Sequence, residues 1–269
     1  MKTIKPKTTL ISVLIASFFT SCLNNDSNLI ESIQDLGYIT TVNNTVCAAT
    51  SCGYVTSPEI KSLRLNECYI LGYEINDPAQ NGIYTADNVF NISESPVPQT
   101  RLNIGTPPSE NILSTESLDI LSFAPTSYLG DRWLLKYSIS LDDNEIAAAN
   151  YYYDENNQID ARGDDISDEN KVIIDVYFTK TDTLDNNDVA DHGKYLSIGN
   201  LKSLRSAYTP DYSRSTASQD GKKKVNVLLQ FRYHKYVGAN TTPEVSYLGN
   251  WDTDMTTDKR IYYMTFSQE

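Results

Sequence analysis

The residues best equipped for chemistry in this chain form a run of oxygen ligands that ends in a histidine, Asp182-Thr183-Leu184-Asp185-Asn186-Asn187-Asp188-Val189-Ala190-Asp191-His192. Clustered carboxylate and amide oxygens are what a hard cation such as calcium takes up. The run lacks the glycine and closing glutamate that an EF-hand loop requires, and Asn and Asp serve turns equally well. Turn chemistry is therefore expected, with no metal site. His234 falls on the polar side of an alternating segment, where a solvated imidazole is the simple expectation. Paired acids could carry out glycoside hydrolysis, and Asp142-Asp143-Asn144-Glu145 and Asp154-Glu155-Asn156-Asn157 supply candidates. Both groups stand beside asparagines in loop-like stretches, as solvated acids do. No Gly-x-Ser-x-Gly elbow, phosphate-binding glycine loop or His-Glu-x-x-His motif occurs. We assign no catalytic residue and no cofactor, and expect no enzyme. Tyr151-Tyr152-Tyr153 remains: on a strand at least one of these rings points away from the core, offering a flat apolar face with a polar tip to a sugar or a protein.

The N-terminus has its own chemistry. Lys2, Lys5 and Lys7 precede an apolar stretch from Leu10 to Phe19, and no acid occurs before Asp26. The stretch is shorter than the roughly 20 residues a spanning helix needs, so residues 1–21 read as a cleaved secretory signal. Phe19-Thr20-Ser21-Cys22 resembles the lipobox of bacterial lipoproteins, with Phe where Leu is usual. The resemblance implies that Cys22 is lipidated and becomes the mature N-terminus. Residues 22–28 then read as a polar tether, and buried acyl chains, at roughly 0.8 kcal/mol per methylene, make a lasting anchor.

Export changes the reading of charge and of the other cysteines. The full chain has a formal charge of −13; losing the signal removes three of 22 basic residues and none of 35 acidic ones, which leaves −16. Such a body repels phosphate backbones, so nucleic acid is not an expected partner. It also repels anionic headgroups, so contact with the membrane is expected through the lipid alone. In an oxidising envelope two of Cys47, Cys52 and Cys68 are expected to pair, and the short Cys47–Cys52 loop is favoured, although Cys68 could take either partner.

The elements that must position these groups are mostly strands. Val225, Val227, Leu229, Phe231 and Tyr233 alternate with polar residues, as do Trp133, Leu135, Tyr137 and Ile139, and Val172, Ile174, Val176 and Phe178; Ile261 to Phe266 ends the chain in the same way. Ser57-Pro58-Glu59 predicts a short helix capped by Ser57. Residues 196–208 are ambiguous, because Leu201 and Leu204 have helical spacing while Gly199 interrupts it. Gly105-Thr106-Pro107-Pro108-Ser109 reads as a stiff linker. It divides the mature chain into a smaller unit at 29–104 and a larger one at 110–269, an all-β plan of two domains.

Each unit holds a similar segment. Leu65 to Ile75 aligns with Leu129 to Ile139: a turn residue and an acid lead into an aromatic, two aliphatics, then Tyr and Ile two apart. Both predict an acidic turn feeding a strand whose alternate residues face a core. With the lipobox at Cys22, the order of a small and then a larger β unit, and the Leu129-Gly130-Asp131-Arg132 turn into Trp133, the chain resembles the NigD-like envelope lipoproteins. That resemblance implies an OB-like barrel followed by a β-sandwich and an outer membrane location, on the periplasmic face or the cell surface. It also implies a link to bacteriocin immunity. The residues themselves suggest a non-catalytic binding or interaction module with a protein or glycan partner. An immunity-type protective lipoprotein and a glycan-binding or glycan-processing accessory protein are the other readings.

Overall fold

The computed structural model describes residues 29–108, 119–125, 128–141, 145–167, 169–182, 191–213, 215, 221–235, 244–251 and 260–268. Cys22, the signal and tether, Ser109, Asp142 to Asn144 and residues 183–190 lie outside them. The chain is nearly all β. In order, it forms β1 (Ile30–Val42), β2 (Thr45–Thr50), β3 (Gly53–Thr56), α1 (Pro58–Lys61), β4 (Cys68–Ile75), β5 (Ile83–Thr85), β6 (Asn88–Phe90) and β7 (Gln99–Ile104). Then follow β8 (Asp119–Pro125), β9 (Arg132–Leu141), β10 (Glu145–Tyr153), β11 (Lys171–Asp182), β12 (Asp191–Asn200), α2 (Leu204–Ala207), β13 (Lys224–Lys235), β14 (Glu244–Leu248) and β15 (Tyr262–Ser267).

Local chemistry explains the first elements. Asn43 and Asn44, at φ 49° and 62°, form the two-residue turn that joins β1 to β2. Two consecutive left-handed residues match the twist of the flanking strands, and asparagine tolerates that conformation. Ser57 caps α1 as expected: its hydroxyl accepts a hydrogen bond from the Ile60 amide at 3.1 Å, and Ile60 is fully buried.

A six-stranded sheet, in the order β5-β3-β2-β1-β4-β6, wraps around Ile39, Ala48, Val55, Leu71, Tyr73 and Ile75. A nine-stranded sheet runs β14-β13-β11-β10-β7-β12-β9-β8, with β15 added to β13. It curls until its two halves face each other. Trp133 on β9 therefore meets Phe231 on β13 and Tyr262 on β15, with ring centroids 5.4 and 5.7 Å apart. The two walls of the sandwich are halves of one sheet, hinged at β7. Residues 99–101 of β7 pair with β12, and residues 102–104 pair with β10.

This assignment corrects the expected boundary. β7 belongs to the second sheet, although residues 29–104 were read as one unit. Val97 still donates its amide to Cys68 in the first sheet, whereas the Pro98 carbonyl already accepts from Ile198 in the second. The changeover thus falls at Pro96-Val97-Pro98, where two prolines cannot donate to either ladder. Gly105 to Pro108 is simply the exit from β7.

The alternation carried most core residues correctly, with one exception. The polar face of β13 is wet at Asn226 but covered further along the strand. Gln230 and Arg232 are 6% and 8% exposed, and Arg232 forms a buried ion pair with Asp175 on β11 while also bonding the carbonyls of Asn157 and Ile159. The ambiguous 196–208 region resolves into strand and then helix. Gly199 sits near the end of β12, where a Cβ would lie 2.9 to 3.1 Å from the Tyr151 ring.

Candidate functional site

The two similar segments meet at the seam between the sheets. Asn66 and Gly130, which correspond in the alignment, both turn the chain with left-handed backbones, at φ 67° and 65°. Beyond them, Tyr69, Leu71, Tyr73 and Ile75 enter one core, and Trp133, Leu135, Tyr137 and Ile139 enter the other. The intervening residues Cys68 and Ile70, on one side, and Leu134, on the other, join Leu36, Val97, Leu129 and Ile198 in an apolar cluster between the sheets.

Beside this cluster is a polar pocket of about 660 Å³, within the range of small-molecule sites. Strand register builds one wall. Asn200 on β12 stands opposite both Arg132 on β9 and Arg101 on β7, so the three lie in one row across the sheet. Neighbouring strands are about 4.8 Å apart, which sets the two arginine backbones about 10 Å apart with the amide between them. Gln99 completes this wall, the turn after β12 and helix α2 bring Lys202, Ser203, Arg205 and Ser206, and Asn66 reaches in from the first sheet.

Two of the four cations are locked. The Arg132 guanidinium stacks on the Tyr38 ring at 3.9 Å, and donates to the Gln99 side chain at 2.9 Å and to the Tyr38 hydroxyl at 2.9 Å. The Tyr38 hydroxyl donates in turn to Asn66 at 2.9 Å. Arg205 donates two parallel bonds to the Asp131 carboxylate, at 2.7 and 2.6 Å, and a third to the Thr265 carbonyl. Among the described residues, the side chains of Arg101 and Lys202 have no hydrogen-bonding or ion-pair partner. A net positive pocket thus stands on a strongly acidic chain. Nothing in the sequence marked it: its nine residues spread from position 66 to 206 as scattered single cations and amides. Asp131, next to Arg132 in the turn, pairs with Arg205, 74 positions away.

A second polar centre, built on the buried Asp35 carboxylate, ties the first sheet to the turn before β9. A bulge in β1 between Ser32 and Asp35 turns the Asp35 carboxylate inward, where it is 2% exposed. One of its oxygens accepts from the Ser51 amide at 3.0 Å, the Ser51 hydroxyl at 2.7 Å and the Tyr73 hydroxyl at 2.8 Å. The other accepts from the Leu36 amide at 2.8 Å and from the Tyr128 hydroxyl, beyond β8, at 3.2 Å. Burial first, and then the negative charge of Asp35, push the phenols of Tyr73 and Tyr128 well above their ordinary range, so both remain donors. This is a structural clamp: every oxygen contact is used internally.

The other predicted residues have simpler roles. Cys47, Cys52 and Cys68 are not in disulfides. The favoured Cys47–Cys52 pairing is corrected by the hairpin. Thr50 is three extended steps along β2 from Cys47, about 10 Å, before the turn that holds Cys52, and a disulfide needs Cα atoms within about 7 Å. Cys68 lies two strands away from Cys47, with β1 between them. Burial pushes the Cys68 thiol up to about 12, opposed by the nearby Arg132 charge. The Asp154 side chain caps its own turn, accepting from the Asn156 amide at 3.0 Å. Tyr151 and Tyr153 are buried, while Tyr152 points outward against the edge of Tyr177. His192 and His234 stand on β12 and β13, their side chains outside the described set. Among the described residues, no group of three or more metal-ligating side chains gathers.

The fold has solved counterparts. An uncharacterized protein from Parabacteroides merdae shares it with a TM-score of 0.52 at 13% identity, over 80% of this chain and 96% of that one. A candidate lipoprotein from Bacteroides fragilis matches at a TM-score of 0.49 and 7% identity, over 82% of this chain and 96% of that one. A NigD-like immunity protein from Bacteroides caccae matches at 0.42 and 9% identity, over 82% and 92%. No family model and no curated protein matches the chain.

Proposed function

We propose that this chain is a lipid-anchored binding module of the bacterial outer membrane, and that its ligand occupies the pocket at the seam between the sheets. The observation that carries the reading is the pocket wall itself. It presents rigid guanidinium groups, two unpaired cations and several amides and hydroxyls at a site large enough for a small molecule. It offers no carboxylate, imidazole or thiol to act as base or nucleophile, so its chemistry is recognition. Groups held by a network before the ligand arrives bind without a further ordering cost.

Filling the pocket tests this reading. Ser203 is half-buried at the start of α2, where its side chain makes no capping bond. Ser203→Trp should leave the fold intact and abolish the rise in melting temperature that a bound ligand causes in the wild type. A ligand that stabilises both proteins equally, or hydrolysis of any ligand by the wild type, would overturn the reading. The anchor is tested separately: a fatty-acid probe should label the wild type and not Cys22→Ala, which should be recovered as a soluble protein. Labelling that survives the substitution removes Cys22 from the proposal.

A further inference from the structure

The pocket has a charge that the rest of the molecule does not explain. Arg101, Arg132, Lys202 and Arg205 line it, and among the described residues Asp131, bonded to Arg205, is the one acid paired with any of them. That leaves about three positive charges at one site of a chain whose formal charge is −13. Donor arithmetic points the same way. A guanidinium has five N–H groups. Arg132 uses three, on Gln99, Tyr38 and the Leu129 carbonyl, and Arg205 uses three, on Asp131 and Thr265. Each keeps two for a ligand, and Arg101 and Lys202 keep all of theirs.

We infer that the pocket binds a compact, hydroxyl-rich ligand carrying at least two oxyanionic groups, the chemistry of a short acidic oligosaccharide with sulfates or carboxylates. The inference rests on the reading of this pocket as the ligand site. Unpaired Arg101 and the two spare N–H groups of Arg132, on backbones about 10 Å apart, can each meet one oxyanion beside unpaired Lys202, and guanidinium matches sulfate, phosphate and carboxylate in a bidentate manner. The uncharged lining, Asn66, Gln99, Asn200, Ser203 and Ser206, suits sugar hydroxyls. It contains no aliphatic or aromatic side chain, so a peptide's apolar groups would find nothing to bury against, and a neutral sugar would find no stacking ring. The charge of the chain also limits ligand length. A long polyanion would run onto an acidic surface and be repelled, whereas a short one meets only the pocket.

Titration calorimetry on the protein purified in detergent micelles tests the inference with three probes: a sulfated disaccharide, a diuronic acid and the uncharged parent disaccharide. Both charged probes should bind, and the neutral one should bind at least about tenfold more weakly, since hydrogen bonds to charged groups are the strong ones. Arg101→Gln and Lys202→Gln should each weaken the charged probes by about tenfold or more while leaving the melting temperature unchanged. Failure of both charged probes to bind at millimolar concentration overturns the inference. Equal binding of the neutral probe, with no effect of either charge substitution, also overturns it. In that case loss of binding in Ser203→Trp keeps the pocket as the ligand site, and binding that survives Ser203→Trp removes both readings.

Discussion

Asp35 gives the sharpest test of how the two sheets are joined. Replacing it with alanine leaves five donors facing an empty position, but they are not equivalent. The hydroxyls of Ser51 and Tyr128 can turn to other acceptors, and Tyr73 still has the Thr50 hydroxyl at 3.1 Å. The backbone amides of Leu36 and Ser51 cannot turn. An orphaned buried donor costs about 1 to 3 kcal/mol, and water can reach the amide of exposed Ser51, so Asp35→Ala should destabilise the protein by about 2 to 3 kcal/mol. That is a large share of a total stability of about 5 to 15 kcal/mol. Tyr128→Phe removes only the longest of the bonds, at 3.2 Å, and should cost about 1.5 kcal/mol. Asp35 lies on β1 and Tyr128 in the connection between β8 and β9, so a double-mutant cycle isolates the link between the two parts. Urea unfolding of wild type, both single variants and the double variant should return a coupling of about 1 kcal/mol or more. Additive effects within about 0.3 kcal/mol would refute the clamp.

Other outcomes follow from burial and register. Tyr73, Tyr128, Tyr137 and Tyr151 all have phenols raised by burial above the ordinary value of about 10. Their contribution is complete below that value and falls as pH rises, because the unfolded phenols ionise first. At about 1.4 kcal/mol per pH unit each, the protein should unfold abruptly not far above pH 11. Tyrosines that titrate smoothly near pH 10 while the circular dichroism stays native would contradict this. In the reduced native protein, half-exposed Cys52 should react with maleimide well before Cys47 and Cys68, which burial shields and holds as thiols; equal rates in mass spectra would count against their placement. Gly199→Ala forces a methyl against the Tyr151 ring and should cost about 1 to 3 kcal/mol in thermal unfolding, so an unchanged melting temperature would show that the ring is not fixed there.

Much of the scaffold was legible because it depends on period. A strand buries every second side chain, so Val227, Leu229 and Phe231, or Trp133, Leu135 and Tyr137, disclose their core face without any knowledge of the partner strand. The helix at Ser57-Pro58 was legible for a similar reason: a cap is a contact between residues three apart. The same logic overreached where a second layer intervened. Gln230 and Arg232 alternate correctly, yet their face is covered, and only the packing of residues 157–159 and Asp175 beside them reveals it. The linker failed for a related reason. Pro107-Pro108 is the more conspicuous pair, but hydrogen bonds at Val97 and Pro98 decide which sheet a residue joins.

By itself, then, the sequence determined an acidic, strand-built chain, because charge is a sum over residues and alternation is a property of near neighbours. It also held the aligned segments at Leu65 and Leu129, whose turn residues Asn66 and Gly130 proved to share a left-handed backbone. The tertiary structure alone decided the pocket. Its cations come from a hinge strand, a strand start and a short helix, separated by up to about a hundred positions, and strand register rather than sequence spacing brings Arg101, Asn200 and Arg132 into one row. A charge count over the whole chain averages that site away; a fold that gathers four cations at one seam restores it.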